Sequence, residues 1–336
     1  MREPDSIILA ALRRLQLIDS HTVPAMIPLT GGVSSDIWRV DLADGAVCVK
    51  RALPKLKVNA VREAPIERNQ YEWQWLKLVT AILPDSVPEL VAHDVESGCF
   101  VMSFLEEDNY TLWKHQLLNG TIDETFAQLV GGRLATIHSA TAQNPDLHKQ
   151  FDTGHIFHAI RLEPYLLASA LRHPDLATEL TQLASNTANT KEALVHGDVS
   201  PKNIFAGPNG PLFLDAECAW YGDPAFDVAF CLNHLLLKCL VRRESIDRLL
   251  RSFDALANAY FKNATWEGSD RVETRAAHLL PGLLLARIDG KSPIEYITAK
   301  GDKHLVRKVA RKLLQHPVSS LGEVRDSWNR TLAVDQ

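Results

Sequence analysis

Followed as a pattern of apolar and polar positions, the chain changes period about one third of the way along. "MREPDSIILAALRRLQLIDS" (1–20) repeats apolar residues on a three-to-four spacing and predicts an amphipathic helix. "MIPLTGGVSSDIWRVDLADGAVCVKRAL" (26–53) instead alternates and predicts paired strands, broken at Gly31-Gly32-Val33-Ser34-Ser35 and turned at Asp44-Gly45. Pro65 opens a helical segment running to Leu83, with Tyr71, Trp75, Leu76 and Val79 on one side. "VPELVAHD" (87–94) and "CFVMSFLEE" (99–107) predict two more strands joined at Glu96-Ser97-Gly98. Beyond residue 106 helical period dominates, in "TFAQLVGGRLATIHSAT", in "EPYLLASALR" and almost continuously after residue 224. The expectation is an α+β chain in two lobes. Residues 1–105 form a mostly antiparallel sheet with one inserted helix, residues 106–336 form a helical lobe, and a connector lies near 102–107.

One stretch interrupts the helical half: "LVHGDVSPKNIFAGPNGPLFLDAECAWYGDP" (194–224). Its apolar runs Leu194-Val195 and Leu212-Phe213-Leu214 each deliver an aspartate. Asp198 is followed five positions later by Asn203, and Asp215 has Glu217 beside it.

Length and composition narrow the setting. A chain of 336 residues is long for one core and comfortable for two lobes. A hydrophobic content of 46% with 23% charged residues is that of a globular protein. The net charge of −5 argues against general nucleic-acid binding, which needs a positive field. Cys48, Cys99, Cys218, Cys231 and Cys239 show neither a CxxC pair nor a framework spacing, so reduced thiols in a cytoplasmic protein are expected. Arg13-Arg14 inside the first apolar pattern argues against a signal peptide, and "AFCLNHLLLKCLV" is too short and interrupted to span a bilayer. A cytoplasmic location with neither a nucleic-acid nor a membrane partner is expected; the oligomeric state is not readable.

The residue types in the interrupting stretch fit phosphoryl transfer from ATP. Mg²⁺ takes hard oxygen ligands and keeps several waters, so a carboxylate and an amide, Asp215 and Asn203, suffice from the protein. A carboxylate left off the metal, Asp198, can take the proton of an acceptor hydroxyl. Lys50, on a sheet-lobe strand, suits the α- and β-phosphates, and the small-residue turn at Gly31, Gly32, Ser34 and Ser35 brings backbone N–H groups near phosphate oxygens. Connector groups at Ser103 to Leu105, with Met102 behind them, suit an adenine edge.

Taken together, "HGDVSPKN", "LFLDAE" and "GDPAFDVA" resemble the aminoglycoside phosphotransferase and choline kinase family, a branch of the protein-kinase-like fold, and "VGGRLATIHSAT" stands where that family has a helix before its catalytic loop. The resemblance implies a bilobal fold and places a catalytic base on Asp198, metal ligands on Asn203 and Asp215, a phosphate-binding lysine on Lys50 and its helix glutamate on Glu72. It also gives Asp227 the role of propping the catalytic loop and His196 that of shaping it. Gly197, where protein kinases carry Arg, and the absence of an activation segment after Asp215 point to a small-molecule hydroxyl acceptor. A silent nucleotide-binding protein and a protein kinase are the alternatives; the first needs a broken base, lysine or metal ligand, and none is missing.

The acceptor itself is less legible. "GDPAFDVAFCLNHLLLK" is similar to methylthioribose kinases and favours a sugar-like alcohol; a choline cage would need Trp220, Tyr221 and Trp266 to converge. Arg287, Asp289 and Lys291 either line an acceptor pocket or form a solvated loop. Glu217 either touches metal or caps its loop. The Lys303, Arg307, Lys308, Arg311 and Lys312 stripe reads as a solvated helix face.

Overall fold

The computed structural model describes residues 5–29, 35–53 and 67–334. Helix α1 (Ser6–Arg14) is capped by Asp5, whose Oδ1 accepts from Ile7 N at 2.9 Å. Five strands follow: β1 (Ala25–Pro28), β2 (Ser35–Leu42), β3 (Gly45–Ala52), β4 (Leu90–Asp94) and β5 (Cys99–Ser103). They form one antiparallel sheet in the order β1-β2-β3-β5-β4.

Strand alternation decides what each face buries. On β3, Val47 and Val49 join Trp38, Val40, Cys99 and Val101 in a small core under α1. Cys48 and Lys50 point the other way, toward helix α2 (Arg68–Ile82), where Trp75, Leu76 and Val79 pack with Phe100 and Met102. Lys50 therefore faces α2 as a consequence of the period-two pattern. The helix starts at Arg68; Pro65 and Glu63 lie outside the described residues, and Glu67, at the N-cap position, accepts from His155 Nε2 at 3.2 Å.

The rest is mostly helical, with α3 (Trp113–Leu118), α4 (Glu124–Thr141), α5 (Ala225–Val241), α6 (Ile246–Asn263), α7 (Ser269–Asp289), α8 (Lys300–Gln315) and α9 (Leu321–Val334); a further helix, Ala177–Asn189, and shorter helical segments lie between α4 and α5. Helix α5 is buried all round, covered in part by α6 and α7, and every residue from Ala225 to Leu240 is buried, Asp227, Asn233, His234 and Lys238 included. The "EPYLLASALR" segment departs from the α-helical expectation. His158–Leu167 is π-helical before Ala168–Arg172 resumes α-geometry; Pro164 lies inside it and has no N–H for an α-type bond. Among the described residues no helix is long and apolar enough to cross a membrane. All five cysteines are free and buried.

Candidate active site

The interrupting stretch folds into two small ribbons. Strand β6 (Ala193–Val195) pairs with β9 (Trp220–Gly222), and β7 (Ile204–Gly207) pairs with β8 (Gly210–Phe213). The two apolar runs thus belong to different ribbons. Their loops are tied by Leu214 N donating to Asn203 O at 2.9 Å and by His196 Nε2 donating to Leu214 O at 3.0 Å.

Asp227, fully buried in the first turn of α5, holds the first loop from below. Its Oδ2 accepts from His196 N and its Oδ1 from Gly197 N, both at 2.8 Å. His138 Nε2 lies 3.3 Å from the same Oδ2, and its Nδ1 meets Tyr260 OH at 2.9 Å, a buried structural arrangement. His196 Nδ1 accepts from Asp198 N at 3.1 Å, so with Nε2 donating the ring is neutral; burial, the largest influence, lowers its pKa accordingly. Gly197 takes φ +79°, and Arg161 Nε donates to its carbonyl at 2.7 Å.

Asp198 Oδ2 is crowded. It accepts from Asn203 Nδ2 at 2.8 Å, from Arg161 Nη2 at 2.7 Å and from Lys202 Nζ at 3.0 Å. Burial alone raises the pKa of this carboxyl, but Arg161 and Lys202 outweigh it and the net direction is down. Among the described residues no donor falls on Asp198 Oδ1. Asn203 turns its Nδ2 to Asp198 (2.8 Å to Oδ2 and 3.0 Å to the carbonyl), which leaves its Oδ1 without a donor.

Asp215 sits at φ +68°, a left-handed conformation that Asp tolerates better than most residues and that recurs at functional sites. Its Oδ1 pairs with Lys50 Nζ, which also reaches Glu72 Oε1 at 2.7 Å. Burial lowers the lysine pKa, yet the charges of Asp215 and Glu72 prevail and raise it; Asp215, raised by burial but lowered more strongly by Lys50 and Lys202, stays ionised. With Asp215 Oδ1 on Lys50, its Oδ2 and Asn203 Oδ1 are two hard oxygens that accept no hydrogen bond among the described residues. No group of three or more His, Cys, Asp or Glu side chains suited to a metal occurs among the described residues. Two oxygens suit Mg²⁺, which keeps waters in most of its shell.

The other candidate residues distribute as follows. Gly31, Gly32 and Ser34 lie outside the described residues; Ser35 opens β2, buried opposite Ala52. Ser103 donates its N–H to Glu89 O at 2.8 Å and takes Glu89 N on its hydroxyl at 3.1 Å, whereas Leu105 N–H has no backbone partner among the described residues. Met102 is buried behind them. Glu217 Oε2 accepts from Arg68 Nε at 3.0 Å, tying the loop after Asp215 to α2. Arg287, Asp289 and Lys291 do not converge: Asp289 is turned to Arg307 and His173, and Lys291 pairs with Glu163. The α8 stripe is also less solvated than its pattern implies, since Arg307 holds Asp289 and Arg311 holds Asp175. The aromatic trio is spent on packing: Phe157 and Lys191 sandwich Trp220, Tyr221 stacks on His148, and Trp266 packs on Tyr260.

Sequence reasoning missed three cations of the site. Lys202 was within reach of a reading, because i+4 from Asp198 in a tight loop brings it back to the carboxylate. Arg161 and Arg68 meet their partners 37 and 149 positions away in the chain and carry no local signal.

Glu72 gives a measurable pH dependence. Burial, the largest cause, raises its carboxyl to about 7 against an ordinary 4.5, even with Lys50 beside it. Between pH 4.5 and 7 the native protein then binds more protons than the unfolded chain, so this contribution to stability is lost as pH rises, by at most about 3 kcal/mol. For the protein free of nucleotide and metal, Glu72→Gln is expected to shrink the Tm difference between pH 5 and pH 7.5. An unchanged difference places the slope elsewhere.

Comparison with known proteins defines the class. The model of the phosphotransferase enzyme family (APH) matches residues 25–239, and the chain belongs to that family. Methylthioribose kinase of Bacillus cereus is 28% identical over 239 residues, covering 62% of this chain and 59% of the relative; that of Bacillus anthracis is 27% identical over 237 residues with the same coverage. The match thus spans about three fifths of the length of these curated relatives. Among solved structures, an amicoumacin kinase in complex with AMP-PNP and Ca²⁺ has a TM-score of 0.53 at 12% identity, covering 95% of this chain and 96% of that one. The Plasmodium vivax ethanolamine kinase has a TM-score of 0.53 at 12% identity, covering 96% and 84%. The chain therefore has the bilobal, protein-kinase-like α+β fold expected from its motifs.

Proposed function

We propose that this protein transfers the γ-phosphoryl group of ATP to a hydroxyl of a small polar metabolite. The observation that carries this reading is the meeting of Lys50, Asp215, Asn203 and Asp198 at one place, where the sheet lobe presses on the catalytic loops. Family membership and the named kinases among its relatives support it. In the same reading the nucleotide lobe is 1–105 and the acceptor lobe 106–336.

Each residue then has a task. Lys50, held by Glu72, binds the α- and β-phosphates, and Leu105 N–H takes the adenine edge; Gly31, Gly32, Ser34 and Ser35 supply the phosphate turn, and Ser103 flanks the adenine as part of the connector. Asn203 Oδ1 and Asp215 hold Mg²⁺, which when bound neutralises developing phosphate charge. Asp198 Oδ1 accepts the hydrogen bond of the acceptor hydroxyl and aims its oxygen at the phosphorus. As the new O–P bond forms and the bond to ADP breaks, the hydroxyl proton passes to Asp198 and from there to solvent. Because its pKa is held low, Asp198 orients first and takes the proton late, as suits a loose transition state. Arg161 and Lys202 fix the carboxylate through its other oxygen.

The test is ATP consumption against sugars, amino alcohols, aminoglycosides and a generic protein. Acceptor-dependent turnover with small molecules, abolished by EDTA and restored by Mg²⁺, is expected. Nucleotide binding with no turnover, or labelling of the polypeptide alone, refutes the proposal.

A further inference from the structure

Beyond Asp227, which props the catalytic loop, helix α5 continues with side chains that the phosphoryl-transfer machinery does not use. Asp227, Phe230, His234 and Lys238 recur at spacings that put them on one face. Phe230 meets the His234 ring at 5.4 Å, and Lys238, 1% exposed, lies with its Nζ 4.0 Å above the Tyr296 ring. Among the described residues Lys238 has neither an ion pair nor a hydrogen bond. An ammonium buried without a carboxylate is costly to keep, and burial followed by the nearby charge of Lys114 pushes it down to about 7.

Other cations surround this lysine. Arg287, from α7, donates from Nη1 to Tyr165 OH at 3.1 Å and to Ser292 O, while its buried Nε has no partner. Arg287 (5.7 Å to the centroid) and Arg161 (6.0 Å) both approach the Tyr165 ring, and Arg161 holds Asp198. Lys202 contacts Asp198 directly, and Lys114 pairs with Glu295 at the rim. Arg287, Lys238, Lys202 and Lys114 all act on the buried imidazole of His234, which burial already keeps neutral. The carboxylates in contact with this group are Asp198, on Arg161 and Lys202, and Glu295, on Lys114. Among the described residues neither Arg287 nor Lys238 contacts a carboxylate, and the Glu295 charge that reaches both is already taken by Lys114. The other basic cleft, lined by His173, Arg307 and Arg311, differs because its arginines are already matched by Asp289 and Asp175.

We propose that Arg287 and Lys238 form the anion-binding end of the acceptor pocket, so that the acceptor carries a carboxylate or phosphate besides the hydroxyl presented to Asp198. This rests on the phosphotransferase reading and narrows its substrate class. The unpartnered Nε–H of Arg287 offers an anion oxygen a charged donor, and the planar guanidinium suits carboxylate and phosphate. A cationic acceptor meets repulsion here.

The test compares glucose, gluconate, glucose 6-phosphate and glucosamine as acceptors. Higher kcat/KM for either anion than for glucose, with glucosamine poorest, is expected, and the two anions tell carboxylate from phosphate recognition. Arg287→Gln is expected to raise KM for the preferred anion about 10- to 100-fold with KM for ATP little moved, the loss of one charged hydrogen bond. Lys238→Met is expected to weaken the anion similarly while raising Tm, because it removes an unmatched buried charge. Preference for glucose or glucosamine, or variants that leave the anion KM unchanged, overturns the proposal. If none of the four is phosphorylated, thermal shift by inorganic phosphate against chloride at equal ionic strength, with AMP-PNP present, decides separately. A shift lost in both variants upholds the anion pocket, and the transfer reading is then decided by the wider acceptor panel; a shift absent from wild type or retained in either variant refutes the pocket.

Discussion

Asp198→Ala is expected to lower kcat by about 10²- to 10⁴-fold while the KM for ATP stays near wild type. Oδ1 is the atom of this carboxylate left for an acceptor, whereas Oδ2 is fixed by Asn203, Arg161 and Lys202. Removing the carboxylate deletes the proton acceptor and also leaves Arg161, buried at 6% exposure, without its anion beside the reacting hydroxyl. Asp198→Asn separates the two effects: it keeps an oxygen for Arg161 but has lost the negative charge, so its stability should stay closer to wild type while its turnover falls nearly as far. Steady-state kinetics with thermal unfolding of both variants provide the check. Near-wild-type turnover in either variant removes Asp198 from the chemistry.

What could be read from the sequence was whatever depends on local spacing. The five-residue step from Asp198 to Asn203, the aspartate ending the Leu212–Leu214 run and the alternation that turns Lys50 toward α2 all lie within a loop or strand, and the structure brings these groups together. The partners that hold them are set by tertiary packing. Arg161 reaches Asp198 from a π-helical stretch that its apolar pattern presents as an ordinary helix. The sequence allows Glu217 either a metal contact or a loop cap, and only the packing of α2 on the loop shows Arg68 against it. The Arg287, Asp289 and Lys291 cluster shows the opposite error: neighbours in sequence around a Gly turn, they point to three different partners. Lys238 had a visible signal, a lysine amid "NHLLLKCLV", yet a lone cation in an apolar run gains meaning only when its lack of a counter-ion is seen.

Gly197→Ala is expected to damage both fold and activity, although it adds a single methyl group. At φ +79° an L-residue pays about 1–2 kcal/mol of backbone strain. A Cβ there also lies 2.7 Å from Cys218 O and 2.8 Å from Cys218 Cβ, and backbone of the neighbouring loop cannot rotate away as a flexible side chain does. Relief requires the Asp198 loop to lift, which stretches the bonds from His196 N and Gly197 N to Asp227 and from Arg161 to the Gly197 carbonyl. Strain and overpacking together amount to roughly 2–5 kcal/mol, or a fall in Tm of about 3–7 °C for a chain of this length. Activity should fall further than stability, because a displacement of about 1 Å at Asp198 costs on the order of 10²-fold in rate. Gly301→Ala in α8 is the matched control: a Cβ there meets nothing within 4 Å, and alanine in a helix should hold or raise Tm with kinetics unchanged. If the two variants prove equally stable and equally active, the Asp198 loop is not seated as tightly on Asp227 and Cys218 as these contacts require.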